Sequence, residues 1–377
     1  EQNGDEDKSL FTYLYDGDAG GIGSIRFKAF TKTLAMVTAV NGNWIMIDRP
    51  MPVKLDLKWK PVVRSFRPPT QFSGIEDLAI EFPVTPYEGH FTEVGWNAVA
   101  MGNVYSCWVR NVEVRNCDSG FFIRGHNNEL AGITFVSERS SRNGWTGHHG
   151  LLFEGQDCML RDFDFQTIFF HDISANNCHA GNVAMDGKGL DLCFDHHKGA
   201  PFGNLFTNID PGSGRRLYRS SGGGNLGKHT AAWLTIWNIK STSPIGWPGR
   251  NFGPDLITVV GVKAAGQAVM DPAGRWYEPI PPESLQPQNL YKAQLELRRG
   301  KGKRSKPKDK PAKKVIAAAP TRAPGVAAKE KAAIRLLRSA RTAERTGQRA
   351  IAKTFYKKIV KEYPGTEAAK KAEAILK

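Results

Sequence analysis

Three short stretches of this chain set histidines beside carboxylates or other histidines, and they carry most of its candidate chemistry. Asp195, His196, His197 and Lys198 close the run Asp-Leu-Cys-Phe-Asp-His-His-Lys. His171-Asp172 precedes it, and His148-His149 comes earlier still. An imidazole titrates near neutrality, which suits proton transfer, and an adjacent carboxylate can orient it. The candidate catalytic residues are therefore His148, His171, Asp172, Asp195, His196 and His197. Arg142 and Trp145, just upstream of His148, add a cation and an aromatic platform. Lys198 and the Arg215-Arg216 pair add cations suited to a substrate carboxylate. The plainer alternative is a set of polar turns with solvated histidines.

A second column, Arg124, Glu154 and Asp186, reads either as a salt-bridged surface ladder or, in its two acids, as a hydrolase pair. His171, Asp172, His196 and His197 could ligate zinc or calcium, but no local spacing demands it, so no metal or other cofactor is expected. Gly222-Gly223-Gly224 followed by Lys228 lacks the spacing and the strand-to-helix context of a phosphate loop.

These residues need a scaffold, and a repeated phrase supplies one. Apolar residues recur in the pattern apolar, two residues, apolar, one residue, apolar: Ile75/Leu78/Ile80, Val109/Val112/Val114, Leu130/Ile133/Phe135 and Leu160/Phe163/Phe165. The copies begin 34, 21 and 30 residues apart. A fixed phrase with unequal spacers predicts a β-solenoid, whose rungs stack while their loops vary. A second strand is expected in each rung, at 97–101, 120–124, 150–155, 182–187 and 204–209. Long connectors are expected at 83–96, 137–149 and 167–181, walling a groove where histidines from successive rungs meet. Leu192/Phe194, Ala231/Leu234/Ile236 and Ile257/Val260/Val262 continue the first strands more weakly.

The boundaries follow from composition. Residues 1–73 read as a β-rich lead-in with a hairpin turning at Asn41-Gly42-Asn43. Residue 1 is expected to be a cut end, because a solenoid needs a capped first rung. The solenoid and its C-terminal wrap span 74–297, a basic disordered linker 298–328, and a helical hairpin 329–377. Thr366 is the expected cap of the last helix. Net charge is +15 for the whole chain, but residues 298–377 hold 25 Lys and Arg against 6 Asp and Glu. The remaining 297 residues are thus at −4, and a nucleic-acid reading of the whole chain loses its support. No apolar run approaches a transmembrane length. Five cysteines without CxxC or zinc spacing read as buried thiols, with one disulfide as the alternative.

The rungs resemble the right-handed parallel β-helix of the pectin-lyase-like superfamily over roughly residues 70–270. Outward Asp77, Asn111, Asp162 and Asp191 fit the polar turns of that fold. The C-terminal run, notably Ala352–Tyr356 and Tyr363-Pro364-Gly365-Thr366, resembles a tetratricopeptide-type hairpin. The first resemblance implies a secreted or cell-envelope protein acting on polysaccharide. It carries over no catalytic residue, since neither the Arg-rich motif of pectate lyases nor the paired Asp motifs of polygalacturonases is found. The expected function is a lyase acting on an acidic polysaccharide by β-elimination. A glycoside hydrolase using Glu154/Asp186-type carboxylates and a non-catalytic glycan-binding scaffold are the alternatives. The basic tail is expected to meet an anionic surface or a protein partner.

Overall fold

The odd spacing of the repeated phrase has a backbone cause. Simple alternation would set apolar residues two apart, yet the first gap is three. The computed structural model describes residues 1–4, 6–265, 276–302, 329–330, 333–334, 336–337, 340, 344 and 349–376. In it, one residue of that gap takes a left-handed conformation in rung after rung: Asp77, Asn111, Gly132, Asp162, Asp186, Asn208, Asn238 and Gly261, with φ between 48° and 73°. Asp, Asn and Gly accept this conformation at least cost. The extra residue bulges outward and returns the next apolar side chain to the core side.

The strands form two parallel sheets. The nine-stranded sheet contains β4 (Gly74–Glu81), β6 (Trp108–Arg115), β8 (Glu129–Val136), β10 (Met159–Phe165), β12 (Val183–Gly189), β14 (Leu205–Asp210), β15 (Thr235–Ile239), β16 (Thr258–Val262) and β17 (Trp276–Glu278), stacked in chain order. The six-stranded sheet contains β3 (Thr70–Gln71), β5 (Asn97–Tyr105), β7 (Ser119–His126), β9 (Gly147–Gln156), β11 (Phe169–Ala175) and β13 (Phe194–His196). From β3 to β14 the chain visits the two sheets alternately. Ile75, Val109, Leu130 and Leu160 stand in one register column, and Ile80, Val114, Phe135 and Phe165 in another. From Val109 onward these side chains are almost wholly buried in one core. On the outer face the bulged residues bond to one another, Asn111 Nδ2 donating to Asp77 Oδ1 at 2.7 Å and Asn208 Nδ2 to Asp186 Oδ1 at 2.6 Å.

The expected rungs need correction after Phe165. The stretch 167–181 is not a long loop: three residues join β10 to β11, which carries His171 and Asp172. Residues 182–187 and 204–209 then fall in the nine-stranded sheet, as β12 and β14, and not in second strands. Asp186 replaces Asp191 in the outward ladder for the same reason. The truly long connectors between a nine-stranded and a six-stranded partner are 82–96 and 137–146. They are pinned together by Arg139, which ion-pairs with buried Asp118 at 2.8 Å and lies over the rings of Tyr87 and Trp96.

The lead-in is mostly irregular, not β-rich. It holds α1 (Ser9–Leu14), the hairpin of β1 (Val37–Asn41) and β2 (Trp44–Ile47), and little else that is regular. Leu10, Phe11, Leu14 and Tyr15 form a second core with Ala200, Phe202 and Ala231. The Tyr15 hydroxyl donates to Lys228 O at 2.7 Å and accepts from Ala200 N at 3.0 Å. None of the five cysteines forms a disulfide. Helix α2 (Leu290–Gly302) extends past the expected linker start; 303–328, the rest of that linker, lies outside the described residues. Asn289 precedes it, bonding to Asp186 on the nine-stranded sheet.

The chain divides into two compact units, Glu1–Lys301 and Gly302–Lys377. In the second, α3 (Arg349–Glu362) and α4 (Glu367–Leu376) pack Ala352, Tyr356 and Ile359 against Ala368, Ala369 and Ala372. Thr366 caps α4, its Oγ1 accepting from Ala369 N at 3.1 Å. Ala333 is buried there, while Ile334 is 39% exposed. Among the described residues no helix is long and apolar enough to cross a membrane.

Candidate functional site

Strand pairing in the six-stranded sheet stacks the histidines. His149 of β9 and His171 of β11 are register partners, and their rings lie 5.0 Å apart and nearly parallel. His148 stacks on His149 at 4.0 Å, and His197, just past β13, meets His171 edge-on at 5.3 Å. Gly150 lets the core come up beneath this column. A Cβ there would stand 2.3 Å from the Phe165 ring and 2.6 Å from Asp172 O.

Asp195 on β13 ties the column together. Its carboxylate is buried, with Oδ2 lying 3.2 Å from His171 Nδ1 and 3.0 Å from His197 Nδ1. Oδ2 also accepts from Ser174 Oγ at 3.1 Å, and Oδ1 from Ser221 N at 2.8 Å. An ionised carboxylate only accepts, so His197 carries its proton on Nδ1 and presents a lone pair at Nε2, and His171 turns its own Nδ1 to the same oxygen. Burial pushes the Asp195 carboxyl up, but the His197 hydrogen bond and the charges of His171 and His197 pull harder, holding it below the usual carboxylate range. Ser174 spends its hydrogen on Asp195 and so accepts from His149 Nδ1 at 3.3 Å.

The connector 82–96 closes the site from above. His90 stacks on Phe170 at 4.4 Å and meets His148 at 4.3 Å. Glu93 Oε1 lies 3.3 Å from His148 Nδ1 and accepts from the Tyr87 hydroxyl at 2.8 Å. Burial holds His171 down to about 3 and His148 to about 4, and lowers His90 and His149 as well. These four rings are therefore neutral at physiological pH. His90, His148 and His149, with Phe91, Asn176, His197 and Gly222-Gly223, border a cleft of about 330 Å³, while His171 is buried and not part of its lining. Arg219 spans the rings of Trp145 and Phe170, 4.7 Å from each, and makes an aromatic and cationic wall.

The expected site residues divide clearly. His148, His171, Asp195, His197 and Trp145 come together. His196 does not: strand alternation turns it inward, where Nδ1 donates to Phe194 O at 2.9 Å and the ring packs by Phe206 and Phe252. Asp172 lies under the column, accepting from Phe169 N at 2.9 Å and Cys193 N at 2.8 Å and pairing with Arg216 Nη2 at 2.5 Å. Burial pushes its carboxyl up to about 6 against the pull of Arg216. Arg216 also donates to Asp191 O and Phe169 O, which leaves it no free edge for a substrate. Lys198 is buried and donates to Gly223 O at 2.9 Å, holding the glycine loop. Arg142 and Arg215 are exposed; Arg215 N bonds to Asp191.

Glu154 and Asp186 cannot act as a pair, because they sit on different sheets. Glu154 accepts from Arg124 Nε at 2.7 Å, and Asp186 from Asn208 and Asn289. Sequence reasoning placed His90 and His149 among the histidines of the groove but gave them no catalytic role, and it did not assign Glu93, Ser174, Phe170 or Arg219 to the site. Glu93 left no signal, being far away in the chain. Among the described residues two groups of ligand-type atoms could hold a metal ion: His90, His148 and His171, and His171, Asp195 and His197. The expected set with Asp172 and His196 could not, since both point away from the cleft. Compared with known protein families, with curated proteins and with solved structures, the chain matches none of them.

Proposed function

We propose that this chain is a polysaccharide lyase that cleaves an acidic polysaccharide by β-elimination in the histidine cleft. One observation carries the reading: a buried, ionised Asp195 accepts from His197, with His171 Nδ1 at ion-pair distance, and leaves the His197 Nε2 lone pair for the cleft it borders. That is the arrangement of a general base oriented by a carboxylate. In the proposed step His197 Nε2 takes the proton α to the uronate carboxylate. The C4–O bond breaks, the C4=C5 double bond forms, and the imidazolium, stabilised by Asp195, returns its proton to the leaving oxygen. Hydrolysis is less well served, since both acids at the cleft, Asp195 and Glu93, are committed as acceptors. Trp145, Phe170 and Phe91 would take the apolar faces of the sugars, and Arg219 a carboxylate.

The alternating visits to two parallel sheets support a right-handed parallel β-helix of the pectin-lyase-like kind as the scaffold. That architecture and a glycan substrate favour a secreted or cell-envelope setting. The basic C-terminal stretch, with its tetratricopeptide-like hairpin, would meet an anionic surface or a protein partner; salt-sensitive retention on anionic vesicles tests the first. For the activity, the protein is incubated with a panel of acidic polysaccharides while the ultraviolet absorbance of unsaturated uronate is followed. Absorbance from wild type and a loss of about 10²-fold or more in His197→Ala are expected. Reducing ends without that absorbance would replace the lyase by a hydrolase. Binding with neither product would leave a glycan-binding scaffold.

A further inference from the structure

The geometry points to a site for one divalent transition-metal ion of the zinc type, held by His90, His148 and His171. One ring nitrogen from each lies within 4.8 Å of the other two. In two of the rings the partner of Nδ1 leaves Nε2 as the candidate ligand atom. His171 turns Nδ1 to Asp195 Oδ2 at 3.2 Å, and its Nε2 is buried with no hydrogen-bond partner. His148 faces Glu93 with Nδ1, which likewise leaves its lone pair on Nε2. Metal-bound histidines regularly donate their other ring nitrogen to a carboxylate, an arrangement that fixes the ring and raises its basicity. Two of these three already turn Nδ1 toward a carboxylate, at 3.2 and 3.3 Å.

Lone pairs that converge repel one another unless a cation or a shared donor stands between them, and a buried acceptor without a donor is costly. No protein donor reaches His171 Nε2 among the described residues. Imidazole ligands select zinc-like ions over calcium or magnesium, which prefer oxygen. Nitrogens sharing a tetrahedral zinc at about 2.1 Å lie about 3.4 Å apart, so the rings must draw together slightly. His90 can supply that movement, since it rides on the connector 82–96 and its ring is held by ring contacts with Phe91, His148 and Phe170. Three protein ligands leave a coordination position open toward the cleft, as catalytic rather than structural zinc sites do.

The test uses the full chain, stripped with a chelator and titrated with Co²⁺, whose visible absorption reports nitrogen coordination, and with Zn²⁺ by calorimetry. One ion per chain is expected, with at least a 100-fold loss of affinity in His90→Ala and a loss of about 10–100-fold in Glu93→Gln. His90 and Glu93 sit on a connector, so both variants should keep the wild-type circular dichroism and melting point. No saturable binding by wild type would overturn the proposal. So would affinity that survives His90→Ala and disappears in His197→Ala, which would place the ion in the His171, Asp195, His197 group. Binding does not depend on the lyase reading: cobalt bound through these histidines in a chain that releases no unsaturated uronate keeps the site and discards that reading.

Discussion

The outer faces of the two sheets both stack polar side chains from rung to rung, but only one closes its own accounts. On the nine-stranded face the charges of β6, β8, β10 and β12 have opposite neighbours. Glu129 accepts from Arg110 Nη2 and from Arg161 Nε, both at 2.8 Å, Arg110 reaches on to Glu76, and Lys188 pairs with Asp164. On the six-stranded face, at β9, β11 and β13, like stacks on like. Four histidines and the loop histidine His90 crowd together, with the carboxylates of Asp195 and Glu93 set behind them. A satisfied ladder needs nothing further and reads as scaffold. A column whose lone pairs face a cleft is incomplete without a substrate proton or an ion.

The sharpest way to break the contrast is Asp195→Asn. An amide offers one acceptor oxygen where the carboxylate served three donors, Ser174, His197 and Ser221 N, so the tautomer of His197 is no longer fixed. Elimination should fall by on the order of 10³–10⁴-fold, while circular dichroism keeps its β signature. Retention of more than a tenth of the rate would remove Asp195 from its positioning role. Arg216→Met comes next. It strips the cation from the buried Asp172 carboxylate and should lower unfolding free energy by about 3–5 kcal/mol. Arg161→Met on the other face, where the pair is partly solvated, should cost about 0–1 kcal/mol. Equal shifts in the urea midpoints would mean that the two faces do not differ in what their charges hold.

Acid gives a third, smaller handle, because no strand of the nine-stranded sheet carries a histidine. Burial of His196 lowers it to about 4 from an ordinary value of 6.5. The unfolded chain therefore binds the proton first as pH falls. This stability is complete above about pH 6.5 and is lost on the way down to about 4. Between pH 7.5 and 4.5 this one ring should remove about 2–3 kcal/mol. His196→Phe, placed among Phe206 and Phe252, should flatten that part of the pH dependence. If the urea midpoints of wild type and variant fall in parallel, His196 is not the group.

Reading the chain from its residues recovered the nine-stranded sheet as far as β10 and then slipped, for a reason visible in packing. In β12 the phrase positions after Ala184 are Gly187 and Gly189. A Cβ on Gly187 would meet the Phe163 ring at 2.3 Å, and one on Gly189 would meet Leu192 at 2.5 Å. The apolar volume has moved to neighbouring residues, so a pattern of apolar letters has nothing left to match. The left-handed Asp, Asn or Gly inside each copy persists through Gly261 and is the steadier marker. Asp195 outward and His196 inward follow from alternation once β13 is taken as a strand and not as a loop. The Asp172–Arg216 pair, 44 residues apart, and the reach of His90 onto His148 depend on how rungs stack and leave no local trace.

The smallest effect is the most demanding test of the comparison. Glu129→Gln leaves Arg110 and Arg161 facing each other across a neutral amide on the nine-stranded sheet. Burial raises the Glu129 carboxyl, but hydrogen bonds from Arg161 and Arg110 outweigh it and hold the group below its usual range. Its stabilisation is present above about pH 4.5 and fades as pH falls. Both arginines are substantially solvated, so the loss at pH 7 should stay below about 1 kcal/mol. It should shrink further at 1 M salt, where screening acts within about 3 Å. Elimination and Co²⁺ affinity should both stay within about twofold of wild type, since a balanced ladder has no route to the cleft. A larger change in either would mean that the faces are coupled through the core phenylalanines Phe135 and Phe165, which lie under both sheets, and that the histidine column owes part of its geometry to the ladder behind it.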